Sequence, residues 1–205
     1  KKMKQKILSS VGNLGIKNFD TLLLHRPEQL LIENNHQILS FLDILKDEKI
    51  TNKIGISIYS PDILPKLLDI YPFDTIQAPI NILDQRILKD SYIEQIKRKN
   101  ITLHARSAFL QGLLLMPQNL LPNQFKKFKN IFDAWHNWLK FNSLSPLEAC
   151  LQFLYQISYV DNIIIGVQSE SQLSEIMKVQ IEKIENLPKW PKEIDEKILN
   201  PSKWN

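Results

Sequence analysis

Apolar residues fall in short runs, and between the runs they recur every three or four positions. The runs read as buried strands: "FDTLLLH" (19–25), "KIGISIYS" (53–60), "FDTIQAPINIL" (73–83), "ITLHARSAF" (101–109) and "VDNIIIGV" (160–167). The intervening stretches read as amphipathic helices. Pro27 to Lys49 is mostly helical, with Leu30, Leu31, Ile38, Phe41, Leu42 and Leu45 on its apolar side. "PDILPKLLDIY" opens behind Ser60 as N-cap with Pro61 at the first helical position, and it tolerates Pro65 near its first turn, where amides lack helical partners anyway. "QRILKDSYIEQIKRKN", "SPLEACLQFLYQIS" and "SESQLSEIMKVQIEKI" supply three more helices, the last opened by a Ser and Glu pair resembling a capping box. Residues 1–18 carry one more stripe, Met3, Ile7, Leu8, Val11 and Leu14, and residues 184–205 form a tail bearing prolines and tryptophans.

Strands that alternate with helices, joined by crossovers of this length, argue for an α/β protein with a parallel sheet. No G-x-G-x-x-G and no P-loop follows any strand, so a doubly wound nucleotide fold has no positive support. Polar residues recur at the C-terminal strand ends: His25, Ser57, Gln77 and Asn81, then His104, Arg106, Ser107 and Gly166. That is where β/α barrels collect their ligand-facing groups. The pattern therefore favours a single domain of the (β/α)8 TIM-barrel type over a doubly wound sheet, although a closed barrel needs eight strands and only about five β/α units are counted here.

Composition narrows the partners. The 205 residues are 43% hydrophobic, and 26 Lys and Arg against 22 Asp and Glu give a net charge of +4. So mild and dispersed an excess is no nucleic-acid signature. The basic patch "KKFKN" (126–130), followed by "AWHNWLKF", reads as an amphipathic helix with a solvated lysine face rather than as a phosphate-gripping surface with stacking rings. Cys150, the single cysteine, lies in "LEACLQFL" and reads as a buried free thiol in a reducing compartment, the cytoplasm. No run has membrane length, and the start lacks the apolar core of a signal peptide. No Cys/His spacing suggests a metal, and no nucleophile-elbow sequence marks a Ser/His/Asp set.

Five blocks carry a family likeness. "FDTLLLHRP", "KIGISIYS", "FDTIQAPINILDQR", "ITLHARSAFLQGLLL" and "DNIIIGVQSESQL", in this order, resemble the aldo/keto reductases, NAD(P)H-dependent β/α-barrel oxidoreductases, over about Ser9 to Glu182. The likeness is greatest to the bacterial branch. It implies that the five strands are barrel strands four to eight and that the chain is the C-terminal portion of such a barrel. Residues 1–18 then form the helix before strand four, and 116–143 an insertion after strand seven.

The same likeness implies site residues. His25, ending strand four, matches the histidine that positions and polarises the substrate carbonyl. Ser57 and Gln77 match the pair that hydrogen-bonds the nicotinamide carboxamide, with Ile58 where many members have Asn. Arg106 stands where many members stack an aromatic ring on the nicotinamide, and a guanidinium plane stacks likewise. Ser107, Leu110, Gln111 and Gly112 fall along the pyrophosphate. Gly166, Ser169, Gln172 and Glu175 match the adenosine pocket, without the cations that hold the 2′-phosphate of NADP, so NADP or NAD is left open. Taken singly, Ser57 also reads as satisfying a strand-end amide, Gln77 as a sheet-edge cap and Gly166 as a turn glycine. His104 reads as a packed ring, and His36 and His136 as surface residues.

The family's tyrosine acid, with its lysine and aspartate, belongs upstream of the block matching His25, and Tyr59, Tyr71, Tyr92, Tyr155 and Tyr159 fall in the wrong segments to replace it. Three readings follow. The first is a fragment of a reductase acting on an aldehyde or ketone, sugar-related substrates among them, and inactive alone. The second is a non-catalytic nicotinamide-nucleotide-binding relative. The third is a subunit completed by another chain, with a homo-oligomer among the options. The aromatics of 116–143, Trp135 and Trp138, either frame a substrate pocket or pack a core, the latter being preferred.

Overall fold

The computed structural model describes residues 2–32, 35–191 and 193–204. Five strands form one parallel sheet whose order follows the chain: β1 (Phe19–Leu24), β2 (Thr51–Ser57), β3 (Thr75–Pro79), β4 (Thr102–Arg106) and β5 (Asn162–Ile163). Among the described residues eight α-helices accompany them: α1 (Lys2–Leu14), α2 (His36–Asp47), α3 (Leu64–Ile70), α4 (Asp90–Arg98), α5 (Lys129–Asn142), α6 (Pro146–Tyr155), α7 (Glu170–Lys178) and α8 (Glu196–Leu199). An α/β fold with a parallel sheet is thus what the alternating pattern specified. The chain divides into two compact units, Lys1–Ala78 with Asp90–Leu103, and Pro79–Lys89 with His104–Asn205.

In the first unit β2 is the buried centre. Ile54 and Ile56 are fully buried, as expected of a parallel strand covered on both faces. Its register is fixed by Leu23 opposite Gly55 on one side and by Gly55 opposite Thr75 on the other. A Cβ at Gly55 would stand 2.6 Å from Leu23 Cδ2 and 2.6 Å from the Thr75 carbonyl oxygen, so only glycine fits. Asp74 adds a polar clamp: its carboxylate accepts from the Ile54 amide at 2.8 Å and from Lys46 Nζ at 2.9 Å. Ser60 caps the turn Pro61–Ile63 that leads into α3, accepting from the Asp62 amide.

The second unit is built around tryptophans. Trp135 of α5 is 1% exposed and donates to the Leu114 carbonyl at 3.0 Å; Trp138 stacks on it, with centroids 5.6 Å apart, and donates to the Asn186 carbonyl at 2.7 Å. Trp190 donates to the Ile82 carbonyl at 2.9 Å, and Trp204 to that of Ile198 at 3.2 Å. Trp135 is buried and the other three indoles are half-buried, and each finds a carbonyl for its N–H. The aromatics of 116–143 therefore pack a core. Helix α6 begins with a capping box, the Ser145 hydroxyl accepting from the Glu148 amide while the Glu148 carboxylate accepts from the Ser145 amide. Cys150 on α6 is fully buried, and burial pushes its thiol pKa up.

Three sequence expectations are corrected. The run at 160–167 yields a strand of only two residues, because its partner β4 ends at Arg106 and Ser107 turns away with φ +59°. Helix α7 stops at Lys178 instead of continuing to Ile184; it has no buried residue, and without tertiary packing a short helix gains little from further turns. His136 is not a surface residue. It is half-buried on α5, with Nε2 buried and without a hydrogen-bond partner among the described residues.

Two predictions follow from these contacts. Gly55→Ala costs about 1–3 kcal/mol by overpacking, read as a shift in the urea midpoint at constant slope. Burial lowers the His136 pKa from its ordinary 6.5, with Asp133 opposing. Its contribution to stability is therefore present above that value and lost as pH falls through the lowered folded value. The thermal midpoint of His136→Gln should fall less than that of the parent between about pH 7.5 and 5.5, as scanning calorimetry would show.

Candidate functional site

The site grows from the end of β4, in the second unit. Ser107, Leu110, Gln111 and Gly112 all have positive φ, +59°, +48°, +54° and +82°. A left-handed backbone at non-glycine residues costs free energy and persists where its surroundings over-determine it. Here the surroundings can be named. Leu110 is fully buried, its amide donates to the Ser107 carbonyl at 2.9 Å, and the Leu113 amide donates to the Leu110 carbonyl at 3.0 Å.

The second support is Asn81, which is 0% exposed. Its Oδ1 accepts from the Leu83 amide at 3.0 Å and the Asp84 amide at 2.8 Å, and its Nδ2 donates to the Ser107 carbonyl at 3.0 Å. The neighbouring Ile80 amide donates to the Arg106 carbonyl at 3.0 Å. Asp84, 1% exposed, accepts from Arg86 Nε and Nη2, each at 2.8 Å. The loop after β3 is thus a hydrogen-bonded plug that fixes where β4 ends and turns.

Beyond that turn lies a cleft of about 810 Å³, within the range of small-molecule sites. One wall is the turn itself, with Arg106, Ser107, Gln111 and Gly112. The other carries Gly166, Gln172 and Glu175, and the start of α6, Ser145 to Leu147, contributes to the lining. Arg106 Nη1 donates to Ser107 Oγ at 3.0 Å. Asn162 Nδ2 donates to His104 Nε2 at 3.1 Å, so His104 is engaged between β4 and β5, as a packed ring should be.

Seven of the residues singled out in the sequence therefore line one cleft. Two do not: Leu110 is buried beneath the turn, and Ser169 is the N-cap of α7, its hydroxyl accepting from the Gln172 amide at 3.2 Å. The remaining three belong to the first unit. Ser57 stands opposite Gln77 in register, and its hydroxyl donates to Gln77 Oε1 at 3.0 Å. Ile58 is fully buried there, a core residue rather than a polar contact. His25, one residue past β1, is exposed and meets Tyr59 edge-on, with ring centroids 6.1 Å apart. Asn81 and the Asp84–Arg86 pair were not singled out as a support; "NILD" directly after a strand is the signal for such a turn.

Glycines test whether a dinucleotide fits. A Cβ added at Gly112 or Gly166 meets nothing within 4 Å, so both leave bare backbone facing open cleft. Bare backbone lets a pyrophosphate come close, and Arg106 supplies a cation on the same lining. The residues fit an anionic dinucleotide. Phenol acidity points the other way for proton donation. Burial and the bond to Asp43 push the Tyr71 pKa up, and burial with Asp62 does the same to Tyr92.

The model of the aldo/keto reductase family matches residues 1–189, and the chain belongs to that family. Among solved structures, it is similar to the aldo-keto reductase AKR11C1 from Bacillus halodurans in its holo form, with TM-score 0.70 and 19% identity over 88% of this chain and 62% of that one. The apo form of the same protein gives TM-score 0.68 at 18% identity, covering 96% and 66%. A thermostable aldo-keto reductase in complex with the inhibitor epalrestat gives 0.63 at 19%, covering 89% and 61%. The chain thus spans somewhat less than two thirds of the length of these structures. No curated protein matches it.

Asn81→Leu removes the acceptor of the Leu83 and Asp84 amides in a dry interior, while the Ser107 carbonyl keeps the Leu110 amide. It should cost about 3 kcal/mol, measured by urea denaturation.

Proposed function

We propose that this chain carries the nucleotide-binding side of a carbonyl-reducing enzyme of the aldo/keto reductase family, acting with NADH or NADPH on a small aldehyde or ketone. One observation carries the reading: a single cleft gathers seven of the residues that family likeness assigns to the cofactor. In this reading β1 to β5 correspond to strands four to eight of an eight-stranded barrel and residues 1–205 to one domain of it, working in the cytoplasm.

When bound, the nicotinamide supplies a hydride to the carbonyl carbon. The chain's own residues do the rest. Arg106 offers a flat cation to a ring or a phosphate oxygen, and Gly112 and Gly166 keep the backbone approachable. Ser57 and Gln77 hold one another in register and present a neutral donor and acceptor set, suited to a carboxamide. His25 donates a hydrogen bond where negative charge develops on the carbonyl oxygen, a task worth a few kcal/mol in a fixed, dry setting. Its exposed position leaves that setting to be completed by substrate.

A second reading, binding without turnover, draws support from Tyr71 and Tyr92, whose phenols are both shifted away from acidity. Isothermal titration of the chain with NADH and NADPH tests both. Binding is expected, and Gly166→Val should weaken it by at least about tenfold while leaving the thermal midpoint unchanged, since its side chain enters open cleft. Reduction of simple aldehydes by the nucleotide-loaded protein separates the enzyme from the binding module. If neither nucleotide binds, the cleft has another ligand and the cofactor reading falls.

A further inference from the structure

The segment around α8 is stitched into the second unit at several places. Ile198 and Leu199 are buried, and so is Asn200 behind them. Trp138 on α5 donates to the Asn186 carbonyl, and the Trp204 ring meets Phe125 edge-on with centroids 4.8 Å apart. Two further contacts reach the loop after β3. Trp190 Nε1 donates to the Ile82 carbonyl at 2.9 Å, and Glu196 Oε1 lies 4.0 Å from Arg86 Nη1. Glu196 is exposed, and an ion pair in water is worth little. The Trp190 bond, half-buried, is the firmer tether.

The loop it holds is the one that shapes the cleft. Ile82 is fully buried and lies between Asn81 and Leu83. Asn81 donates to the Ser107 carbonyl and accepts from the Leu83 amide. No described residue beyond Ile176 lines the cleft, so Trp190 acts on a ligand only through the loop and the turn. The path is short: indole to Ile82, Asn81 to Ser107, and Ser107 to the Leu110 amide.

Stability is not the main thing this tether supplies. The Ile82 carbonyl also accepts from Gln85 Nε2 at 2.8 Å, so losing the indole N–H leaves no buried acceptor unpaired. What the tether supplies is position. It fixes the loop against a segment that is itself anchored at Asn186 and at Trp204. A wall that already stands in its binding form spares a ligand the cost of ordering it.

We infer that Trp190 is a positioning residue for the cleft: by pinning Ile82 it keeps Asn81 and the Ser107 turn in shape, and ligand affinity depends on that shape. The choice of NADH as probe rests on the cofactor reading above; the role of Trp190 in shaping the turn does not.

Trp190→Phe keeps an aromatic body and removes the N–H. Trp204→Phe is its control, because that indole donates to Ile198 within the same segment and not to the loop. Hydrogen exchange followed by NMR on the whole chain reads the amides of Leu83, Asp84 and Leu110. In Trp190→Phe these should exchange about tenfold faster than in the parent, while the amides of α6 and of Ile54 keep their rates. In Trp204→Phe all of them should exchange as in the parent. Calorimetric titration with NADH should show binding weakened about three- to tenfold by Trp190→Phe and unchanged by Trp204→Phe. Parental exchange at the three amides in Trp190→Phe, an equal rise in α6, or the same change in both variants overturns the inference. Faster exchange with unaltered NADH affinity overturns the link from turn to ligand. A parent protein that does not bind NADH overturns the cofactor reading alone, and the exchange rates still decide the role of Trp190 in shaping the turn.

Discussion

A buried amide that has no water to turn to must spend every hydrogen bond inside the protein. At Asn81 this constraint fixes the second unit. Two of its bonds close the loop after β3, and the third reaches the carbonyl of Ser107, the residue at which β4 leaves the sheet. The turn that follows is left-handed at Leu110, Gln111 and Gly112 and could not persist as an isolated peptide. Its shape is imposed from below by Asn81 and by buried Leu110, and the cleft inherits that shape.

The first unit obeys a different constraint, close approach. Gly55 lets β2 lie tight between its neighbours, and Asp74 locks the same strand through the Ile54 amide. With the register held, Ser57 comes opposite Gln77. A slip by one residue would turn Ser57 toward the opposite face and bring Ile56 or Ile58 to its place. Packing at one glycine therefore decides the polar chemistry two residues away.

Much of this was legible in the chain. Strand positions, the Ser60 cap, buried Cys150 and the polar strand ends follow from periodicity and turn chemistry, because each depends on neighbours a few residues apart. Strand ends and helix lengths were less legible. The run at 160–167 is apolar throughout, yet it pairs only as far as β4 continues, and α7 stops where packing fails to support it. His136 looked polar and helical, hence exposed; its burial depends on how α5 is packed, which sequence spacing does not encode. The left-handed turn was the least legible of all, since Ser, Leu and Gln carry no local preference for positive φ. Seven site residues were found through family likeness, and the amide that positions their turn was seen only as one polar strand end among several.

The self-capped helix α7 gives the cleft unequal walls. On one side the turn rests on residues that exclude water completely, and breaking it open means unpacking the interior. On the other, α7 buries no residue and is closed by caps at both of its ends. Local opening is governed by such differences in anchoring. A molecule seated in the cleft would therefore stiffen chiefly the α7 side, lending order where the fold supplies least, while the β4 side would already stand as it will be used.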